Sequence, residues 1–151
     1  MIIKTWIAVL TALVMAAGTP ATALEVEHDL TIVLDPSSGR LTGEDVVRVV
    51  GGGDRLTMFL SSKATIDSVA LNGGEWPYRF SGSRLQMDLP PVEGDNDRTV
   101  RIAYSAVFDD KAPVMPVNTD NPGYGVTGTI SERGTLLLAG AGWYPHLEAD
   151  K

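Results

Sequence analysis

The sequence predicts an all-β chain, an antiparallel β-sandwich or saddle-like sheet preceded by a helical signal peptide. Three observations carry that expectation. Short runs alternate apolar and polar residues with period two, as in Leu56, Met58 and Leu60 or Val100, Ile102 and Tyr104. Turn-forming clusters separate these runs at roughly 8–12 residue intervals, the spacing of sandwiches and barrels. After the first 23 residues no stretch repeats apolar residues at the 3.6-residue helical period.

The first element is the leader, residues 1–23. Lys4 supplies a basic start, Trp6 to Ala17 is an uncharged apolar run, and Ala21-Thr22-Ala23 is a small-x-small site that a signal peptidase can cut. The run is short of the roughly 20 apolar residues a membrane span needs, and Pro20 ends any helix before the cut. The expected mature domain is therefore 24–151, exported to the periplasm or the cell exterior, with no stable membrane span after cleavage.

The β elements follow in order. In Val26 to Leu34 the residues Val26, His28, Leu30, Ile32 and Leu34 share one parity and Glu27, Asp29 and Thr31 the other, as in a half-buried strand. Asp35-Pro36-Ser37-Ser38-Gly39 is a turn, and Leu41 to Val50 returns from it to make a hairpin. Gly51-Gly52-Gly53-Asp54 breaks the pattern before Arg55 to Ser61. Ile66, Val69 and Leu71 mark a short strand ending at Asn72-Gly73, a hairpin turn whose two residues accept positive φ. Trp76 to Phe80 is expected to return from that turn. Ser81-Gly82-Ser83 leads into Arg84 to Leu89, which Pro90-Pro91 stops because proline cannot donate to a ladder. Beyond the acidic loop from Val92 to Asp97, Arg98 to Phe108 is the longest clean strand. Asp109 to Tyr124 carries three prolines and is expected to be a long surface loop, a length usually associated with function. Gly125 to Ile130 and Thr135 to Leu138 are the last strands, and a glycine-rich tail ends in Trp143-Tyr144-Pro145.

Composition narrows the chemistry. The 19 acidic residues outnumber the 12 basic ones, for a net charge of −7, and an acidic surface repels nucleic acid and anionic membranes alike. With no cysteine, export imposes no disulfide framework. His28 and His146 are the two histidines, and no H-E-x-x-H occurs, so a zinc site of three or four convergent ligands is not expected. His146, Glu148 and Asp150 alternate near the C-terminus in what reads as a solvated tail. No G-x-S-x-G elbow accompanies either histidine, and His28, on the apolar parity, reads as structural. No glycine run opens a helix as a phosphate cradle does. Glu93-Gly94-Asp95-Asn96-Asp97 lacks the full calcium-loop spacing. The expectation is of no catalytic residue, no metal ligand and no cofactor in this chain. Any binding site is expected in the long loop, at Asn118, Asp120, Asn121 and Tyr124, with Trp143 nearby.

Several segments, taken in order, resemble a known family. His28 to Pro36 followed by Gly39-Arg40-Leu41-Thr42-Gly43, then Arg101 to Ala106, Gly128-Thr129-Ile130, Leu136-Leu137-Leu138 and Gly142-Trp143-Tyr144-Pro145 are similar to the N-terminal β domain of M1-family zinc aminopeptidases. The resemblance implies a saddle-like domain beside a thermolysin-like catalytic domain that holds the zinc. The family's G-x-M-E-N and H-E-x-x-H elements are missing here, so no catalytic residue carries over to any position. The implied role is a non-catalytic scaffold or substrate-side wall for a catalytic part absent from this chain. The alternative is a free-standing binding or interaction module. The apolar run from Leu136 to Trp143 wants a neighbour on its free edge, either that catalytic domain or a partner chain.

Overall fold

The computed structural model describes residues 24–51, 53–91, 97–111 and 126–147, and the leader lies outside them. Ten strands are found there: β1 (Glu25–Asp35), β2 (Arg40–Val50), β3 (Arg55–Phe59), β4 (Thr65–Leu71), β5 (Gly74–Glu75), β6 (Arg79–Ser81), β7 (Arg84–Asp88), β8 (Arg98–Val107), β9 (Gly128–Ser131) and β10 (Gly134–Leu137). One short 3-10 turn, Ala139–Ala141, follows. No helix among the described residues is long and apolar enough to cross a membrane.

The strands form a five-stranded sheet in the order β1-β2-β8-β4-β5, a three-stranded sheet β3-β7-β6 and a two-stranded β10-β9 hairpin. All the pairings are antiparallel. The two larger sheets share one core. Leu41, Val47, Val49, Val100, Ile102 and Tyr104 from β2 and β8 cluster with Leu56, Met58, Leu85 and Met87 from β3 and β7. In β2 every second residue from Leu41 to Val49 is buried, as the alternation predicts.

Several turns have the chemistry that their residues prescribe. Asp35 accepts from the backbone N–H and hydroxyl of Ser37 and from the hydroxyl of Ser38, closing the β1–β2 turn. These bonds hold its carboxyl at about 2, below the usual carboxylate range. Asn72 and Gly73 both adopt positive φ at the β4–β5 turn. The spacing of Ile66, Val69 and Leu71 skips a residue because the register of β4 against β8 shifts between Ile66 and Ser68.

The return from Asn72-Gly73 departs from the sequence expectation. β5 ends after Glu75, the Trp76 N–H makes one last bond to the Val69 carbonyl of β4, Pro77 and Tyr78 leave the ladder, and β6 joins the other sheet. The Trp76 indole N–H donates to the Asp88 carbonyl of β7 at 2.7 Å, so this segment crosses between the sheets instead of extending a hairpin. Pro77 within the run, which lacks an N–H to donate, was the signal for it.

Candidate functional site

The densest group of chemically able side chains lies where β1 and β2 meet the C-terminal segment. Asp45 sits on the buried parity of β2 and is fully buried, yet Oδ1 has no hydrogen-bond partner among the described residues. Its Oδ2 lies 2.8 Å from Nδ1 of His28, whose ring is 23% exposed. Burial pushes the Asp45 carboxyl upward, and the histidine works against that shift. Tyr104, on β8, is also fully buried. Burial and the nearby Asp45 raise its hydroxyl, which stays protonated and donates to the Trp143 carbonyl at 3.0 Å.

Trp143 and Tyr144 bring the tail over this group. Tyr144 meets His28 edge-on at 5.8 Å between ring centres and His146 at 5.5 Å, while Trp143 packs against Tyr144. Gly142 takes the left-handed conformation, and a Cβ there would come within 2.7 Å of the Ser61 backbone nitrogen. The Ser61 N–H donates to the Gly142 carbonyl, and Phe59 and His146 exchange backbone hydrogen bonds. The two histidines, at opposite ends of the sequence, thus flank one tyrosine.

The described residues do not fit a zinc ion. His28 spends Nδ1 on Asp45, and Nδ1 of His146 lies 3.1 Å from the Tyr144 carbonyl. Among the described residues no three His, Cys, Asp or Glu side chains converge. Nor does any hydroxyl hydrogen-bond to either imidazole among them. The His28–Asp45 pair can hold and orient a proton, and no hydroxyl or thiol nucleophile hydrogen-bonds to it among the described residues.

Of the residues expected to bind, Asn118, Asp120, Asn121 and Tyr124 lie outside the described residues, as do Glu148 and Asp150. Trp143 is half-buried and packs against the core. Asp109 and Asp110, just before residues 112–125, both pair with Lys63 Nζ, at 3.1 and 3.2 Å. Asp110 Oδ2 also accepts from the Thr127 and Gly128 N–H groups and the Thr127 hydroxyl, each at 3.0 Å. These bonds hold its carboxyl well below the usual range. Two shallow hollows, of about 300 and 450 Å³, flank the crossing segment and share Trp76, Pro77 and Tyr78.

No protein-family model matches the sequence, and no curated protein matches it. Solved structures do. The M1 zinc metallopeptidase from Deinococcus radiodurans superposes with a TM-score of 0.51 and 20% identity over 64% of this chain and 23% of its own. A mutant of that enzyme bound to a Tyr-Ser-Ala substrate gives 0.56 and 18% over 82% of this chain and 29% of its own. Yeast LTA4 hydrolase in complex with bestatin gives 0.52 and 14% over 89% and 23%. The chain folds like part of an M1 zinc metallopeptidase. It spans under a third of these proteins, a share that fits an N-terminal domain without the catalytic part. At such identities the M1 likeness concerns the fold, and it assigns no M1 residue role to any position here.

Sequence reasoning set Tyr104 on an apolar strand face without a role in any site, and it missed Asp45. A signal for Asp45 was present, since an acid on the parity of Leu41, Val47 and Val49 faces the core and needs a partner. His28, on the apolar parity of β1, is that partner.

Proposed function

We propose that this chain is an exported, non-catalytic β domain that forms a scaffold or substrate-side wall beside an M1-type catalytic part lying outside these residues. Residues 1–23 act as the signal peptide, and 24–151 work in the periplasm or outside the cell. The zinc belongs to the catalytic part, which docks at the C-terminal edge, and this chain takes up no cofactor and no nucleic acid. The observation that carries the reading is the M1-type superposition, which covers most of this chain and under a third of each metallopeptidase. The exposed Leu136 on β10 and Leu138 just after it agree with a neighbour at that edge.

The test is zinc content and turnover. The purified chain is expected to hold no stoichiometric zinc and to release no amino acid from a chromogenic aminoacyl anilide. Stoichiometric zinc together with turnover would overturn the proposal. A second reading, a free-standing binding module, is favoured by the two hollows around Trp76, Pro77 and Tyr78. Reading the coding sequence past Lys151 separates the two: an H-E-x-x-H segment follows under the first reading, and a stop under the second.

A further inference from the structure

β1 is the long open edge of the largest sheet. It pairs with β2 over all eleven residues from Glu25 to Asp35 without a bulge, and no strand among the described residues pairs with its other side. The other edge strands, β3, β5, β6, β9 and β10, have five residues or fewer. Long edges are normally blunted by proline, lysine or a bulge. β1 has no proline, lysine or glycine. Its backbone donors and acceptors on that side therefore form an uninterrupted template.

The side chains along this edge specify what it accepts. On the inner face Val26 and Leu30 are partly covered, while Ile32 and Leu34 remain 38% and 36% exposed. The β9–β10 hairpin, whose β9 touches β1, adds exposed Leu136, and Leu138 just after it is exposed as well. The outer face carries Glu25, Glu27 and Asp29 along its first half and Thr31, the exposed Val33 and Asp35 along its second. Arg48 neutralises Glu27, but Glu25 and Asp29 have no cationic partner among the described residues. A second copy of the chain is a poor occupant. Two β1 strands paired antiparallel about Leu30 would place Glu25 against Asp35 twice, and each molecule carries a net charge of −7.

We propose that the free edge of β1 binds an extended segment of another protein by strand addition, and that this segment alternates apolar residues with lysine or arginine. Main-chain hydrogen bonds supply the attachment. The apolar residues cover Ile32 and Leu34, and the basic ones face Glu25 and Asp29. This proposal does not depend on the M1-type reading and stands or falls separately from it.

The test uses the purified chain and three labelled peptides, each of eleven residues to match β1. One alternates valine and lysine, one alternates valine and glutamate, and one is the valine–lysine peptide N-methylated at every residue so that neither of its edges can donate to a ladder. Fluorescence anisotropy is expected to show the first bound at least about tenfold more tightly than either other, because like charges and lost ladder bonds both oppose them. Hydrogen exchange is expected to slow at amides of β1 when that peptide is added. The E25K/D29K double variant, changed only at exposed positions, is expected to reverse the preference between the lysine and glutamate peptides. Comparable binding of the N-methylated peptide, or of the glutamate peptide, would overturn the proposal. So would a concentration-dependent dimer that protects the same amides and excludes the peptide, which would assign the edge to a second copy. The exchange measurement on the unsubstituted chain decides the matter even if the double variant fails to fold.

Discussion

Asp110 ties together the two flanks of residues 112–125. A single oxygen, Oδ2, takes hydrogen bonds from Thr127 and Gly128, while Oδ1 meets Lys63. All of these bonds favour the ionised form, so the folded carboxyl titrates below its unfolded value near 4. The unfolded chain then binds the proton first as pH falls. The stability that Asp110 contributes is complete above about pH 4 and is lost progressively as pH drops toward the folded value. Asp110→Asn is expected to lower stability at pH 7 by about 1 kcal/mol and to flatten the decline below pH 4, measured by urea unfolding at stepped pH. An unchanged acid slope would show that the carboxylate does not supply this term. In the sequence the Asp109-Asp110 pair could pass for an acid-base dyad, and its use as a clasp depends on Lys63 and Thr127, which only the fold brings to it. Asp45 was legible in principle from its parity, whereas its electrostatic effect on Tyr104 was not, because that depends on how β2 pairs with β8.

Gly43 and Tyr104 form a directly opposed pair between β2 and β8, the two central strands of the large sheet. A Cβ at residue 43 would stand 2.4 Å from Tyr104 Cζ, so the tyrosine ring lies over the glycine. The ring cannot swing aside freely, since its hydroxyl holds the Trp143 carbonyl and its body is buried. Gly43→Ala is expected to destabilise the domain by about 2 kcal/mol, within the usual range for overpacking, read as a lowered denaturation midpoint. A midpoint within error of the parent chain would mean that the ring relocates at no cost. Strand existence was largely readable in advance because period-two alternation reports directly on a two-faced element. The failure at Trp76 to Tyr78 has a physical origin. Alternating aromatics resemble a strand, but Trp76 finds its polar partner on β7, in the other sheet.

For the whole molecule, the sequence announces strands but not their neighbours. β8 lies between β2 and β4, and the three-stranded sheet is assembled from segments on either side of β4 and β5 in the chain. Such pairings are non-local, and no turn signal encodes them. The convergence of His28, Tyr144 and His146 was hidden for the same reason. The M1 resemblance, by contrast, was carried by the order of short segments and agrees with the superposed folds. If residues 1–23 are removed on export, intact-mass measurement of the secreted chain is expected to give a product beginning at Leu24, immediately before β1. Recovery of a chain still starting at Met1 would refute cleavage at that site.

The stitching of the tail onto β3 has a consequence for the order in which the molecule can be completed. Until Gly142 and His146 arrive, the N–H groups of Phe59 and Ser61 lack the carbonyls that they meet in the finished domain, and Tyr104 has no acceptor for its hydroxyl. A chain emerging N-terminus first from a ribosome or an export channel can form the β1–β2 hairpin early, from local contacts. It must then wait, with its central tyrosine unanchored, for a carbonyl that lies 39 residues further along the chain.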